Sequence, residues 1–279
     1  MKSFKNKVAA ITGAGSGIGR ALALQLAADG CDLALSDVNE QGLAETAAQV
    51  SAHGVKCTTA RVDVADRAAV YAWADQVVSD HGKVNLIFNN AGVALGSSIE
   101  GTSYEDFEWL MNINFWGVVY GTKAFLPHLK AAGEGHVVNV SSVFGLIAVP
   151  SQGTYNASKF AVRGFTEALR QELEMTGAKV SSTCVHPGGI KTNIAKNARF
   201  SADMKDLIGQ DEAAGKARFE QLFMTTAESA ANTILGGVKR NARRVLIGPD
   251  ARVIDWMARF SPQGYQGLVR RAVALGTRF

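Results

Sequence analysis

The stretch Val8-Ala9-Ala10-Ile11-Thr12-Gly13-Ala14-Gly15-Ser16-Gly17-Ile18-Gly19-Arg20 decides how this chain folds. Val8 to Thr12 form a short apolar run suited to a buried parallel strand, and a helical pattern sets in near Arg20. Between them lie Gly13, Gly15, Gly17 and Gly19, interleaved with Ser16 and Ile18. Glycines there permit a tight turn and let backbone N–H groups approach a pyrophosphate, which the amino terminus of the following helix stabilises. The spacing is TGxxxGIG, because Ile18 stands where a strict GxGxxG would put its third glycine.

Further along, apolar runs rich in Val, Ile and Leu keep alternating with longer amphipathic segments, the βαβ signature of a parallel sheet covered on both faces. The pattern predicts strands at 7–12, 32–36, 56–62, 84–88, 135–140, 179–185 and 244–247, and helices at 17–29, 40–52, 66–81, 104–131, 154–176 and 226–240. The expected fold class is α/β, doubly wound, with a seven-stranded, mainly parallel sheet. At 279 residues, with no linker rich in Pro, Gly or Ser and no internal repeat, the chain reads as one domain over 1–279.

Two regions break the rhythm. Residues 192–226 are polar, helix-prone and read as lacking a strand, which suits a substrate lid over the carboxyl edge of the sheet. The tail, 248–279, spaces Val253, Ile254, Trp256, Met257 and Phe260 along one helix face beside Arg252 and Arg259. Packing against the body or a neighbouring subunit is the reading, with a membrane-surface helix as its alternative.

Composition excludes several classes. Hydrophobic residues at 47% and charged residues at 19% match a globular chain, not a disordered or fibrous one. The net charge of +4 comes without a basic stretch interleaved with aromatics, so no nucleic-acid partner is expected. Cys31, Cys57 and Cys184 lack ligand spacing and read as buried hydrophobes in a reducing compartment. His53, His81, His128 and His136 also lack it, so no metal is expected. The polar segment Met1 to Lys7 offers no signal peptide, and no apolar run reaches the ~20 residues of a membrane span, so a cytoplasmic location is expected.

The second strand ends in Leu35-Ser36-Asp37. A carboxylate roughly twenty residues past the glycines accepts hydrogen bonds from an adenosine ribose and repels a 2′-phosphate. Val38 and Asn39 offer no compensating cation, and Ser16 is neutral as well, so the sequence points to NAD over NADP. Tyr155 and Lys159 stand four residues apart in a helix-forming stretch and emerge on one face. A phenol can supply the proton that an alkoxide needs after hydride transfer. Doing so near neutrality means holding its pKa roughly three units low, about 4 kcal/mol, a direction that an ammonium and an oxidised nicotinamide both favour.

Together these features resemble the short-chain dehydrogenase/reductase family, from about Lys7 to Gly248. TGAGSGIG resembles its cofactor loop, Asn89-Asn90-Ala91-Gly92 the NNAG segment that supports the central sheet, and Asp63-Val64 the adenine-contacting pair after the third strand. The resemblance implies a single Rossmann-type domain. It also gives Ser142, thirteen residues before Tyr155, the role of polarising the substrate oxygen, with Ser141 as competitor. Lys159 would bind the nicotinamide ribose, and Asn114 would hold a proton-relay water, with Asn112 the alternative. Pro187-Gly188-Gly189-Ile190-Lys191-Thr192 is similar to the family's PGxxxT, in which Ile190 and Thr192 would hold the carboxamide.

The expected cofactor contacts are therefore Gly13, Gly15, Ser16, Gly17, Ile18, Gly19, Asp37, Asp63, Val64, Asn90, Ala91, Gly92, Tyr155, Lys159, Pro187, Gly188, Ile190 and Thr192, and the catalytic set is Asn114, Ser142, Tyr155 and Lys159. His186 invites a Ser/His/Asp hydrolase, but no GxSxG elbow precedes a helix, and the resemblance leaves it structural. The family's counterparts of helices 104–131 and 154–176 form subunit interfaces, which implies a homodimer or homotetramer. Phe144, Ile147, Phe200, Phe219, Phe223 and Met224 suggest a bulky, apolar secondary alcohol or ketone as substrate. The alternatives are an NADP-dependent carbonyl or 3-oxoacyl reductase and, more remotely, a non-catalytic NAD sensor or scaffold.

Overall fold

Alternating apolar runs and amphipathic segments fold as the pattern dictates. A computed structural model describes residues 1–201, 203–204 and 223–274. Strands β1 (Val8–Thr12), β2 (Asp32–Asp37), β3 (Cys57–Arg61), β4 (Leu86–Asn89), β6 (Gly135–Val140), β7 (Val180–Pro187) and β11 (Arg244–Ile247) make one sheet. Its order is β11-β7-β6-β4-β1-β2-β3 and every pairing is parallel. The order reverses between β1 and β4, which opens a crevice at their carboxyl ends where ligands of such sheets bind. The glycine stretch and Asn90 both leave the sheet at that crevice.

Burial on both faces explains the continuous apolar reading of β1, whose five residues are all buried. One face packs Ile11, Leu33 and Phe88 against α1 (Gly17–Ala28), α2 (Glu40–Ser51) and α7 (Ala227–Lys239). The other packs Ala10, Ile87 and Val137 against α3 (Arg67–His81), α5 (Gly117–Ala131) and α6 (Gly153–Met175), where Trp73 meets Phe125 edge-on at 5.1 Å. The termini follow local rules: Asp66 caps α3 at Ala68 and Ala69, and Gly82 ends it at φ 72°.

Two expectations change. The segment 104–131 is not one helix: α4 (Tyr104–Met111) passes into a π-helical turn, Asn112–Trp116, before α5. Residues 192–226 are not without strands. β9 (Arg199–Phe200) pairs with β5 (Leu95–Gly96), and β10 (Thr225–Thr226) with β8 (Ile190–Lys191). Two-residue ladders are too short to leave a period-two signal. The rest of the expected lid, residues 202 and 205–222, including Phe219, lies outside the described residues.

The tail makes two helices, α8 (Pro249–Phe260) and α9 (Tyr265–Ala274). Pro262 and Gly264 stand in the break, and Ser261 and Pro262 lie outside both helices. Packing against the body is observed: Ala251, Ile254, Tyr265 and Val269 cluster with Val143, Leu146 and Ile147, and the Tyr265 hydroxyl accepts from Ala148 N at 3.0 Å. The outer face of α8 leaves Val253, Trp256 and Phe260 exposed.

Asp255 fastens α8. It is buried and pairs with Arg244 and Arg259, each at 2.8 Å. Asp255→Ala removes a buried carboxylate shared by two arginines, leaving Arg244 with Glu167 alone at 2.9 Å, and is expected to lower stability by about 1–2 kcal/mol in denaturant unfolding. A loss under ~0.5 kcal/mol would show the tie to be idle.

Candidate functional site

After β1 the chain turns with Gly13 at φ 67° and Gly17 at φ 53°, a region open to glycine. The exposed Ser16 makes no side-chain cap on α1, so the first-turn N–H groups, from Gly17 to Gly19, remain available to an anion. Gly19 must be glycine because a Cβ there would sit 2.1 Å from Gly13 O. The NNAG segment braces the loop: Asn90 N and Ala91 N both donate to Thr12 Oγ1 at 3.0 Å, and Asn90 Nδ2 donates to Thr12 O at 2.9 Å.

Asp37 ends β2 beside this turn. Its Oδ2 accepts from Gly15 N at 2.8 Å and its Oδ1 from Asn39 N at 2.9 Å. A carboxylate has about four lone-pair sites, so ribose hydroxyls can still be received. Asp63, exposed after β3, holds Ala65 N at 2.9 Å, while Val64 is buried and meets Gly117 at the start of α5. Across the loop, a Cβ on Gly17 would touch Thr192 Cγ2 at 3.0 Å, so the segment after β7 closes over the glycine turn. Pro187 and Ile190 are buried, and Gly189 N donates to Asp250 Oδ2 at 2.7 Å. Gly188 lies against the same carboxylate. A cavity of about 290 Å³ runs along α1 beside the glycine turn, lined by Gly17, Arg20, Leu24, Gln49, Thr192 and Glu228. The donor set and the glycine cradle fit a dinucleotide.

The reactive groups gather where β6 ends. Ser142 starts a 3-10 turn, Val143–Gly145, and its Oγ accepts from Phe144 N at 3.1 Å, which leaves the hydroxyl hydrogen free to donate into the site. Ser141, the competitor, turns away: its hydroxyl donates to Lys159 O at 2.8 Å. Tyr155 and Lys159 share one face of α6, with Lys159 Nζ 5.5 Å from the phenol ring. Nζ donates to Val140 O at 3.1 Å, which leaves two N–H groups for a ligand. A Cβ on Gly92 would meet Asn114 Oδ1 at 3.1 Å and Lys159 Nζ at 3.6 Å, so the NNAG glycine lies between them.

Asn114 is fully buried within the π-helical turn, a motif frequent at functional sites. Its amide is largely engaged by the chain: Oδ1 accepts from Val93 N at 2.8 Å, and Nδ2 donates to Val93 O at 2.9 Å and to Ser158 Oγ at 3.4 Å. For a relay water this leaves the second lone pair of Oδ1 and the main-chain carbonyl.

Electrostatics runs against the simplest expectation for Tyr155. Burial pushes the phenol up to about 12, opposed by the Ser142 hydroxyl, and burial brings Lys159 down to about 8. The phenol is thus held protonated near neutrality. Around it, Ala94, Leu95, Leu110 and Ala198 form an apolar cluster, with Phe144 edge-on at 6.1 Å.

A glycine turn, an acidic strand end, and a serine, a tyrosine and a lysine meeting at one sheet edge accord with the comparison of sequences, in which the short chain dehydrogenase family matches residues 7–202. The chain belongs to this family. Its relatives include SadH of Mycobacterium tuberculosis, named as an oxidoreductase, at 51% identity over 98% of each chain. Human estradiol 17-beta-dehydrogenase 11 is 31% identical over 98% of this chain and 85% of its own. A short-chain dehydrogenase/reductase from Burkholderia phymatum, solved in complex with NAD, superposes with a TM-score of 0.86 at 32% identity, covering 95% and 97% of the two chains. As a short-chain dehydrogenase the protein is an oxidoreductase.

Two residues of this dehydrogenase escaped the reading of its sequence. Arg20 crosses from α1 to bond Gly15 O, Gly42 O, Glu45 and Thr46, tying the glycine turn to α2. Asp250 anchors the turn after β7 from the start of α8. Gly248-Pro249-Asp250 carries the signature of a helix start, which could have placed Asp250, whereas nothing in the sequence announces the partners of Arg20.

Proposed function

We propose that this protein is an NAD-dependent oxidoreductase that moves a hydride between the nicotinamide and a bulky, apolar secondary alcohol or ketone. The observation that carries the reading is the gathering of Ser142, Tyr155 and Lys159 beside a glycine turn whose loop is tied to Asp37. When bound, the nicotinamide supplies or accepts the hydride. Ser142 donates its free hydrogen to the substrate oxygen, and Tyr155 exchanges the proton at that oxygen. Lys159 holds the ribose hydroxyls and fixes the phenol's surroundings, and Asn114 passes protons onward. The apolar cluster around Tyr155 favours a hydrocarbon-rich substrate over a sugar or a polyanion.

Asp37 supports NAD, because its carboxylate would face the 2′-phosphate of NADP. Titrating both cofactors is expected to show NAD binding at least about tenfold tighter, with Asp37→Ala narrowing the gap. A clear preference for NADP would replace this reading with that of an NADP-dependent carbonyl or 3-oxoacyl reductase.

The raised phenol sets the pH dependence. It is ready to give a proton, as reduction requires, and must lose one before it can accept a proton in oxidation. Alcohol oxidation is therefore expected to climb with pH, by up to about tenfold per unit below the apparent pKa, with no such gain for reduction. Oxidation faster at pH 6 than at pH 8 would contradict it. Phe107, Trp116 and Phe160 remain partly exposed on α4, the π turn and α6, which supports a homodimer or homotetramer. Following NADH absorbance across secondary alcohols and ketones of graded size tests the substrate class, and turnover confined to small or charged substrates would overturn it.

A further inference from the structure

The sheet stops supporting the chain just short of Ser142. Val140 pairs with Val185, and Ser141 N donates to Val185 O at 2.8 Å. In a parallel ladder the next donor from β7 would be the N–H of residue 187, but that residue is Pro187, which has none. A side chain reaches across one residue later. His186, fully buried, sets Nδ1 2.9 Å from Ser142 O.

A carbonyl oxygen can only accept, so Nδ1 carries the hydrogen and Nε2 is a bare acceptor. Nε2 is buried and has no hydrogen-bond partner among the described residues, so the ring makes this one bond. Burial brings the imidazole down to about 4, and the nearby Arg163 and Arg244 act in the same direction against Glu167, so the ring is neutral. Within the turn, Gly145 N donates to the Ser142 carbonyl at 2.9 Å and Phe144 N to its Oγ at 3.1 Å, while the hydroxyl faces Tyr155. Those bonds shape the turn, whereas His186 ties it to the sheet.

We propose that His186 is the positioning residue for Ser142, tethering the serine's carbonyl through Nδ1–H so that its hydroxyl meets the substrate oxygen. The inference rests on the reading of Ser142 as the group that polarises that oxygen. The tether acts on orientation and leaves the dinucleotide contacts alone.

A double-mutant cycle tests it, using an alcohol that the wild type oxidises. His186→Leu keeps the bulk and removes the donor, and is expected to lower kcat about tenfold or more with NAD affinity unchanged. His186→Asn, whose amide N–H can take the place of Nδ1–H, is expected to recover most of the loss. In a Ser142→Ala background, His186→Leu is expected to cost less than about twofold, because the group it positions is gone. Wild-type turnover in His186→Leu, or an equal loss in both backgrounds, would overturn the tether. Wild-type turnover in Ser142→Ala alone is a separate failure, which removes the role of Ser142 and this proposal with it. Should His186→Leu fail to fold, the nitrogen-15 NMR spectrum of the wild-type ring decides. It is expected to show a neutral ring protonated at Nδ1, and a ring protonated at Nε2 would refute the tether.

Discussion

Tyr155→Phe is expected to lower kcat by about a thousandfold and leave NAD affinity unchanged. The substitution removes one oxygen from a ring that is 7% exposed and packed edge-on to Phe144, so the fold has little reason to respond. What disappears is the proton carrier at the substrate oxygen, and neither Ser142 nor Lys159 can take that place. The Ser142 hydroxyl is a much weaker acid than a phenol, and Lys159 spends one N–H on Val140 O and keeps the others for the ribose. Stopped-flow oxidation with the cofactor bound, together with fluorescence titration of NADH, separates chemistry from binding. A variant that binds NADH normally and turns over within about tenfold of wild type would remove Tyr155 from the mechanism.

Gly19→Ala is expected to raise the dissociation constant for NAD by about a hundredfold and to destabilise the fold by about 1–3 kcal/mol. The added methyl would lie 2.1 Å from Gly13 O and 2.8 Å from Asn90 Nδ2, so the glycine turn and its brace must both move. Helix propensity alone would favour alanine by up to about 1 kcal/mol, so the predicted sign runs against propensity. Gly164→Ala in α6 supplies the contrast, because a Cβ there meets nothing within 4 Å. It is expected to leave NAD binding alone and raise stability slightly. Calorimetry on the two variants checks both signs, and matching behaviour would show that the turn tolerates a side chain.

The sheet was legible because its strands are buried on both faces and read as unbroken apolar runs, so all seven fall within about two residues of their predicted bounds. The tyrosine and lysine were legible because a helix fixes which spacings share a face, and α6 begins at Gly153, ahead of both. The two-residue ladders at Leu95 and Ile190 were not, since pairing that brief depends on loops meeting in space. Nor was the π turn: Asn112 to Trp116 keep a helical period, and the bonds that Asn114 makes within it, to Val93, lie across a separate segment. Long-range bonds explain the other omissions, since Arg20 reaches Glu45 and Asp250 reaches Gly189 across separate elements. The phenol shows a related gap, because a charge relation can be guessed from spacing while the depth of burial that opposes it cannot.

Deuterium transfer is the most direct test of the account. With an oxidisable secondary alcohol labelled at its carbinol carbon, a single turnover by the wild type is expected to deliver the label to C4 of the nicotinamide on one face only. Under the same conditions Tyr155→Phe should leave it on the alcohol. Label released to solvent, or divided between both faces of the ring, would contradict direct hydride transfer between a substrate and a dinucleotide held in one orientation at Ser142, Tyr155 and Lys159.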